Sequence, residues 1–557
     1  MSGGGDFKMT VEPKLSSAPS SAPVWGNWSG NIVHEPPANA ANYYFRPTNP
    51  VELKSVLADA VTKGITVRAS GQRHSQPPLV TDDNRGAVPP LPTTYLVDMS
   101  CYADLGPDGK DAMVLGPGPN QVTVNPGIRE DELDAFLTQQ NLMLDTVTAG
   151  GFFSIGGMIA VDVHGATVDA AIFAEAVSAF TILGADGNET IIDEQSTDGE
   201  GHPLLKFARV SLGAFGIVTR MTLDVLPRPW ANTLQGGTER YRLLTQSDFI
   251  AKFKELFTGP TKHTRVESFF TPYAAPFPPF ANFLVLWWDV VANPNPQIPN
   301  LPLIPKSACE LSHQDEFGAP SIGIGQFGEA VIIAAQTSDP YWSPFAGPAV
   351  ITAIALDEIE SQAGAANKAF SDLWLAKSTR VIFMSYFIEL PDLDDEGLGK
   401  TWEGLDVVNT YVTQSGNFHI AAPMEFRFLR GGNSAMSGTF SGNPNAYFVN
   451  LDLIGFVEAT KSSEYPAELL KFFAYVERRW VSMGGLPHNG KMFGFYDPTD
   501  PALHSCTPPF NKQFCSFITK QRAETRNAPV DAFEKYRKVC DPNGLFCTQY
   551  LRDLLER

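Results

Sequence analysis

Apolar and polar positions recur with two different periods along the first third of the chain, so helices and strands alternate there. An asparagine cap, a first-turn proline and apolar residues at helical spacing predict a helix over residues 49–64. The β-branched run at 65–68 predicts a strand directly after this helix, and residues 95–98 and 121–124 predict two more. Residues 129–140 return to helical spacing. This part of the chain therefore predicts a mixed α and β domain.

The rest of the chain is richer in strands. Residues 176–226 predict a hairpin that turns at Asp186-Gly187. Farther on, prolines and aromatic residues become frequent around an apolar strand at 283–288. This change predicts a domain boundary near residue 235, and an amphipathic helix over 466–481 is expected to close the second domain.

One segment of the second domain alternates strictly and carries two opposite charges. A strand here places Met424, Phe426 and Phe428 on one face and Glu425 and Arg427 on the other, about 7 Å apart along the backbone. Such a couple can line a cavity. The alternative is a solvated sheet face that carries a surface charge pair.

Length and charge narrow the functional classes. A chain of 557 residues exceeds what one hydrophobic core usually organises, which favours two domains. The net charge of −20 comes from 41 basic and 61 acidic residues, and it argues against binding to nucleic acid or to an anionic membrane surface.

The cysteines and the N-terminal tail bear on the compartment. The six cysteines show no CxxC spacing, so the sequence predicts neither a disulfide scaffold nor a zinc site. Cys506 and Cys515 can bridge a loop, although buried free thiols fit better. The Ser-, Pro- and Ala-rich start lacks the pattern of a signal peptide, and it also fits the front of a mature secreted protein. A secreted or periplasmic location is therefore expected.

A glycine-containing loop follows the first predicted strand and includes a histidine. It runs from Arg68 to Ser75 with the sequence Arg-Ala-Ser-Gly-Gln-Arg-His-Ser. Backbone amides in such a turn can converge on a pyrophosphate with little help from side chains. Taken alone, the spacing Gly71-x-x-His74-Ser75 is short, and a structural or solvent-exposed loop histidine is the alternative interpretation.

Later segments support the interpretation of this loop as a pyrophosphate-binding turn, because they follow it in a definite order. They are the glycine tract Thr148–Met158, His164-Gly165, Leu212–Thr219, Pro487–Lys491 and Asp541–Phe546. Together these segments resemble the FAD-binding family of the vanillyl-alcohol oxidase type, and the resemblance covers most of the chain.

The resemblance implies that FAD is bound covalently through His74. Members with two covalent links carry a cysteine in the glycine tract, and residues 148–170 contain none, so a single link is expected. His164 is the competing attachment residue, interpreted as lining the cofactor, and Lys491 is expected to be a cation near the flavin ring rather than a surface charge. The implied FAD-binding residues are Arg68, Ala69, Ser70, Gly71, Gln72, Arg73, His74, Ser75, Gly150, Gly151, Ser154, Ile155, Gly156, Gly157, His164, Gly165, Gly216, Ile217, Val218, Asn489 and Lys491.

The resemblance also implies an α+β fold with two domains. One is a discontinuous FAD-binding α+β domain, and the other is a substrate-binding (cap) domain with a large antiparallel sheet flanked by helices. The expected segments are an N-terminal extension at 1–40, the FAD-binding domain at 41–235, the substrate-binding domain at 236–485 and a C-terminal return to the FAD-binding domain at 486–557.

Within that family, the Met424–Arg427 pattern and the aromatic-rich second domain are most similar to the cholesterol oxidases that bind flavin covalently. This similarity implies oxidation of a 3β-hydroxysteroid by dioxygen, with Δ5 to Δ4 isomerisation, release of hydrogen peroxide and transient contact with a sterol-bearing membrane. Glu425 and Arg427 are expected to be a base and a cation at the reacting hydroxyl. Glu267 is expected to be a second acid, or a gate that pairs with Arg427. The expected steroid-wall residues are Phe269, Phe270, Tyr273, Phe277, Phe280, Trp287 and Trp288.

Other functions remain open at this point. One is an oxidase of the same fold that acts on a sugar, alditol or lactone and offers more hydrogen-bonding side chains than a steroid site. Another is a flavin-retaining sterol-binding protein without turnover, and a third is a disulfide-stabilised structural protein without cofactor. The stretch Gly323–Gly328 fits the Gly-x-Gly-x-x-Gly pattern, but no convincing strand precedes it, so it is interpreted as a flexible glycine-rich loop.

Overall fold

The protein is seen here as a computed structural model. The structure describes residues 24–35, 42–86, 93–148, 150–228, 234–260, 262–273, 281–291, 307–310, 325–338, 347–364, 381–414, 417–459, 461–502 and 504–555. Most of the tail on which the expected location rests, and Phe277 and Phe280 of the expected steroid wall, lie outside these residues. Among the described helices, none combines the length and the apolar character needed to cross a membrane.

The first region contains short strands, four α-helices and one 3₁₀ turn within its described residues. Its elements are β1 (Trp25–Gly26), β2 (Val33–His34), β3 (Tyr44–Phe45), α1 (Pro50–Lys63), β4 (Thr66–Ser70), β5 (Thr94–Asp98), β6 (Met113–Leu115), β7 (Gln121–Val124), α2 (Glu130–Gln139), β8 (Leu142–Met143), α3 (Ile155–Ala160), a 3₁₀ turn (Phe173–Ala176), β9 (Val177–Leu183), β10 (Glu189–Asp193), α4 (Leu205–Ala208), β11 (Ile217–Asp224) and β12 (Leu226–Pro227).

The second region is built on long strands. Its elements are β13 (Leu234–Tyr241), α5 (Gln246–Thr258), β14 (Arg265–Phe270), β15 (Phe283–Val290), α6 (Gly325–Ala335), α7 (Pro348–Gly364), β16 (Val381–Leu390), α8 (Asp395–Gln414), β17 (Met424–Arg430), β18 (Tyr447–Phe456), a 3₁₀ turn (Ser462–Glu464), α9 (Ala467–Ser482) and β19 (Leu486–Pro487). Three helices follow, α10 (Lys512–Arg526), α11 (Val530–Cys540) and α12 (Gln549–Leu555).

Local sequence signals set the early elements as predicted. The Asn49 side chain accepts hydrogen bonds from the amides of Val51 and Glu52 at the start of α1, and Gly64 ends that helix in the left-handed conformation with φ 66°. The predicted strands at 65–68, 95–98 and 121–124 correspond to β4, β5 and β7. The predicted hairpin forms from β9 and β10, which pair antiparallel.

Two sheets carry the first region, and a buried arginine joins them to the end of the chain. Strands β3, β5 and β4 form a parallel sheet, while β10, β9, β11, β7 and β6 form a five-stranded sheet. The Arg68 guanidinium donates hydrogen bonds to the carbonyls of Gly213, Leu212 and Phe546 at 2.6 to 2.7 Å. Residues far apart in sequence therefore meet at the end of β4, where the glycine loop begins.

A seven-stranded antiparallel sheet forms the second region, in the order β13-β15-β14-β17-β18-β16-β19. The register sets Glu267 opposite Arg427 and Glu425 opposite Asp452. Phe426 lies on the other face of β17, where it packs against Phe253 of α5 with ring centroids 5.5 Å apart. The alternation predicted for this strand is confirmed: one face carries Glu425 and Arg427, and the other packs against α5. The predicted α+β fold with a large antiparallel sheet flanked by helices is confirmed as well.

The interpretation of Gly323–Gly328 as a loop is wrong from residue 325 onward. Helix α6 begins at Gly325 and includes the last four residues of the motif. An apolar run at 330–335 follows after Glu329, and burial of this run outweighs the roughly 1 kcal/mol that an interior glycine costs relative to alanine. The first two residues of the motif lie outside the described part of the chain.

A disulfide that the sequence did not predict joins the two regions. Cys101, just after β5, is bonded to Cys309, 208 positions later. Cys506 and Cys515 are free, so the bridge considered for this pair is absent, and the buried free thiol expected at Cys515 is found. The disulfide connects the segment that contains Ser100, a residue of the main cavity described below, to the second region.

Replacing both Cys101 and Cys309 by serine is expected to lower the free energy of unfolding by about 3 kcal/mol, because the unfolded chain loses the constraint of a long closed loop. Denaturant unfolding of the oxidised protein measures this change. Cys506→Ser is the matched control, and we expect its unfolding free energy to differ from the wild type by less than about 1 kcal/mol. Equal stability of the double variant and the wild type would contradict the structural role of the disulfide.

Candidate active site

The main cavity lies between the first region and the seven-stranded sheet. Its walls include the glycine loop at 68–75, the end of the glycine tract at 153–161 and the segment at 211–218. The large sheet supplies Phe383, Glu425, Arg427 and Asp452, and the segment after β19 supplies His488, Gly490 and Lys491. Segments predicted separately from the sequence are thus brought to one cavity.

The glycine loop and the glycine tract approach each other closely. A Cβ atom at Gly71 would lie 2.1 Å from the Ser154 Oγ, and one at Gly157 would lie 2.9 Å from the same atom. Arg73 adopts a left-handed backbone conformation with φ 60°, which turns the loop just before His74. A side chain at position 71 would displace Ser154, and its absence leaves backbone beside the cavity.

A buried acidic side chain, Glu130, anchors the start of the glycine tract. The Glu130 side chain accepts a hydrogen bond from the Thr148 amide at 2.7 Å, and it also contacts the Thr148 hydroxyl. Burial raises the pKa of Glu130 to about 8. The amides of Gly150 and Gly151 donate to the Thr148 hydroxyl oxygen, so these glycines shape the turn.

His74 lies in an aromatic enclosure. Its ring stacks on Trp28 with centroids 5.2 Å apart, and it contacts Phe152 and Phe153 at 5.0 and 4.8 Å. Burial, reinforced by the positive charges of Lys491 and Arg73, holds the pKa of His74 well below its usual value. The imidazole is therefore neutral at pH 7, which leaves one ring nitrogen unprotonated.

The cavity fits a flavin dinucleotide. Gly71, Gly156 and Gly157 line the cavity and let the chain pack closely against Ser154 and Pro126, so that backbone forms this part of the wall, as a pyrophosphate site requires. The Gln72 Oε1 atom is buried and has no hydrogen-bond partner among the described residues, so a ligand N–H group can satisfy it. The lining combines polar atoms along the loop and at the large sheet with apolar side chains such as Met158, Val161 and Phe383, which matches the mixed character of FAD.

Some predicted FAD-binding residues do not reach the cavity wall. They are Gly150, Gly151, Ile155, Gly165, Ile217 and Asn489. Ile155 and Ile217 are buried in hydrophobic cores, and a Cβ at Gly165 would meet the Val147 carbonyl at 2.1 Å. Asn489 donates from its side-chain amide to Asp162 at 2.6 Å. These residues support the wall from behind, whereas the other fifteen residues predicted to bind FAD line it.

Glu425, Arg427 and Glu267 form a buried network. The Arg427 guanidinium donates to Glu267 Oε1 at 3.0 Å and also pairs with Glu425. All three side chains are almost fully buried. Burial raises the pKa of Glu425 despite the opposing effect of Arg427. The surface-pair alternative for Glu425 and Arg427 is therefore wrong, and Glu267 contacts Arg427 from the neighbouring strand without lining the cavity.

Asp452 was not predicted from the sequence, and His488 was part of the segment Pro487–Lys491 but was given no role; both line the cavity. Asp452 interrupts the apolar strand β18, and this interruption is the signal that could have identified it. Burial, followed by the negative charge of Glu425, raises the pKa of Asp452 to about 6. Lys491, which was predicted, has its Nζ atom 4.0 Å from the centroid of the Phe383 ring, and burial lowers its pKa.

The described aromatic residues of the expected steroid wall do not line this cavity. Phe269 and Trp288 belong to a hydrophobic cluster with Leu356 of α7, and Trp287 stacks on His263 with ring centroids 4.2 Å apart. Phe270 and Tyr273 are buried in the main core. Phe277 and Phe280 lie outside the described residues. The described members of the set therefore serve packing.

Comparisons with known proteins agree with this fold. A cholesterol oxidase from Brevibacterium sterolicum superposes with a TM-score of 0.67 at 16% identity, over 97% of this chain and 99% of that one. A solvent-stable cholesterol oxidase gives 0.63 at 18% identity, over 97% of this chain and 100% of its own. At this level of sequence identity, the similarity shows a shared fold and nothing about the substrate.

The relatives found by sequence are named for a different class of substrate. The family model of D-arabinono-1,4-lactone oxidase matches residues 399–554. An L-gulono-1,4-lactone dehydrogenase of Mycobacterium tuberculosis is 28% identical over 45% of this chain and 50% of its own length. The mouse L-gulonolactone oxidase is 25% identical over 41% and 44%, and a D-arabinono-1,4-lactone oxidase of Yarrowia lipolytica is 23% identical over 47% and 42%. The matches span about half the length of these relatives or less.

The comparisons confirm the resemblance to the vanillyl-alcohol oxidase type of FAD-binding protein that was predicted from the sequence. The prediction of cholesterol oxidation is wrong, because the relatives found by sequence are named for sugar-derived lactones. The prediction rested on the Met424–Arg427 pattern and on the aromatic composition of the second domain, and neither determines the substrate. The expected sterol partner and membrane contact have no support in the comparisons.

Gly71→Ala is expected to reduce the flavin content of the purified protein at least about tenfold, because its Cβ collides with Ser154 and moves the loop from the cavity wall. The ratio of flavin to protein absorbance measures this. Gly199→Ala is the matched control, since a Cβ at Gly199 meets nothing within 4 Å, and we expect it to retain flavin. Full flavin content in Gly71→Ala would contradict the assignment of this loop.

Proposed function

We propose that this protein is an FAD-dependent oxidoreductase that oxidises a hydroxyl group of a sugar-derived 1,4-lactone. The observation that carries this proposal is the concentration of polar side chains at the sheet end of the cavity. Glu425, Arg427, Asp452, Lys491 and His488 all line it. A small polyhydroxylated ring can satisfy several such groups at once, whereas the redox end of a steroid offers one hydroxyl.

The names of the relatives support the same substrate class. The matching family model and the relatives found by sequence are named for aldonolactones. The part of the chain that the family model matches contains Glu425, Arg427, Asp452 and Lys491. Some of these relatives are named oxidases and others dehydrogenases, so the electron acceptor is a separate part of the proposal. We take dioxygen as the acceptor, with hydrogen peroxide as its product.

The chain supplies binding, charge and proton handling. When bound, FAD accepts a hydride from the substrate carbon. Arg427 and Lys491 are the cations at the reacting end, and they can stabilise negative charge that develops on the hydroxyl oxygen. Burial of this end excludes water and strengthens those interactions.

The residues that would hold FAD are those of the glycine loop, the glycine tract and the segment at 211–218. A covalent link through His74 is part of the proposal. A neutral, buried imidazole beside the cavity can form a bond to carbon, because it keeps an unprotonated nitrogen. His164 also lines the cavity, but it lies beside Arg427 and His488 at the substrate end.

A secreted or periplasmic location is also proposed. The disulfide between Cys101 and Cys309 supports it, because such bonds persist in oxidising compartments.

Turnover of L-gulono-1,4-lactone or D-arabinono-1,4-lactone is expected to reduce the flavin under anaerobic conditions and to release hydrogen peroxide in air. Bleaching of the flavin absorbance and a peroxidase-coupled assay measure the two steps. Xylitol and cholesterol are the comparison substrates, and we expect kcat/KM at least about tenfold lower for both. Preference for either of them would overturn the proposed substrate class.

His74→Ala is expected to release its flavin on acid precipitation, whereas the yellow colour of the wild type remains with the pellet. Absorbance of the supernatant after precipitation measures the released flavin. His164→Ala serves as the matched histidine variant, and we expect its flavin to remain attached. Release from His164→Ala but not from His74→Ala would reassign the link, and release from the wild type would exclude it.

A further inference from the structure

Asp452 occupies a central position in the polar end of the cavity. It stands opposite Glu425 on β17 and opposite Ser385 on β16 in the sheet register. The Ser385 hydroxyl is hydrogen-bonded to its carboxyl group, and that hydroxyl oxygen also accepts from the Asn450 amide at 2.9 Å. The other oxygen, Oδ1, is buried and has no hydrogen-bond partner among the residues that the structure describes. Asp452 therefore offers an acceptor atom that the protein itself does not use.

The other two carboxylates of this cluster are already engaged. Glu425 and Glu267 both bind the Arg427 guanidinium, from its own strand and from the neighbouring one. A carboxylate held in a buried ion pair is a poor proton acceptor, because protonation breaks the pair and leaves the cation uncompensated. Burial nevertheless raises the pKa of Glu425, so geometry decides between the groups: Glu425 and Glu267 are held by Arg427, whereas Asp452 has an unused oxygen.

The two histidines at this end differ in the ring nitrogen that carries the proton. His488 Nδ1 accepts a hydrogen bond from the Gly490 amide at 2.9 Å, so the proton of the neutral ring is at Nε2, a donor. His164 Nδ1 lies 3.2 Å from the Gly165 carbonyl, which assigns the proton to Nδ1 and leaves Nε2 as an acceptor. Burial and the charge of Arg427 hold the pKa of His164 well below its usual value, so it is a weak base.

The carboxylates of this cluster outnumber its cations by one, so the cluster can take up one proton. Glu267, Glu425 and Asp452 carry three negative charges when ionised, against the two positive charges of Arg427 and Lys491. An uncompensated negative charge in a buried site favours uptake of one proton. Asp452 has the unused oxygen atom to receive it.

We propose that Asp452 is the catalytic base, and that its Oδ1 accepts the hydroxyl proton of the lactone while the carbon-bound hydrogen leaves as a hydride. This inference rests on the proposed function. The O–H and C–H bonds of the substrate break and its C–O bond becomes a double bond. A bound flavin would be the oxidant that takes the hydride with its electron pair, and the proton stays on the carboxyl group. Arg427 and Lys491 then hold the substrate oxygen.

Asp452→Asn tests this role, because asparagine keeps the size of the side chain and removes its basicity. We expect kcat/KM for L-gulono-1,4-lactone to fall about 10²- to 10⁴-fold. In the wild type, kcat/KM is expected to fall as the pH drops through about 6, since the pKa of Asp452 is raised to about 6 and a base must be deprotonated to act. That loss at low pH should be missing in the variant.

Binding provides a readout that does not depend on turnover. The oxidised lactone product perturbs flavin absorbance when it binds, and we expect its Kd in Asp452→Asn to remain within about threefold of the wild type. Asp395→Asn is the matched control, because Asp395 is exposed at the start of α8, and its kinetics should equal those of the wild type.

Several results would overturn the assignment. They are activity of Asp452→Asn within threefold of the wild type, an equal loss of product binding and kcat/KM, or disappearance of the low-pH fall in His164→Gln alone. Each of these requires an active wild type and leaves the proposed function in place. If no aldonolactone reduces the flavin of the wild type, the proposed function and the assignment are both overturned.

Discussion

Arg427 lies buried between two carboxylates, Glu425 on its own strand and Glu267 on the next, and the polar end of the cavity depends on this contact. A buried charge is costly unless it is paired, so removing either partner leaves an uncompensated ion inside the protein. The pairing also constrains register, because a slip of one residue would turn Arg427 toward α5 and Phe426 toward the cavity. The sheet therefore presents its charged face to the cavity and its aromatic face to the helices.

The opposite wall depends on close approach of backbone segments. Gly71 and Gly157 pack against Ser154, while Arg68 ties the same loop to Leu212, Gly213 and Phe546. Together these contacts hold a neutral His74 beside the cavity, 5.2 Å from Trp28 between ring centroids. A rigid cradle on one side and a charged sheet on the other are what a flavoprotein needs in order to position a substrate against its cofactor.

The sequence predicted what local patterns encode. The helix from Pro50, the glycine loop and the two faces of β17 follow from caps, turns and strand periodicity, and all appear in the structure. Non-local features were missed. Cys101 and Cys309 are 208 positions apart, and Asp452 reaches the cavity only because β18 pairs with β17. The substrate class was misjudged because aromatic composition does not show whether a side chain points into the cavity or into a hydrophobic core. Phe269 and Trp288 pack under α7, and the same fold serves steroids in other proteins.

A crystal structure of the protein with FAD and a bound 1,4-lactone tests the central claim most directly, since it shows which atoms the charged face of the sheet offers to a substrate. The account predicts a lactone hydroxyl within hydrogen-bond distance of Asp452 Oδ1, with Arg427 and Lys491 beside the same oxygen and FAD along the loop at 68–75. A lactone bound away from these side chains, or a flavin that does not contact the glycine loop, would contradict it.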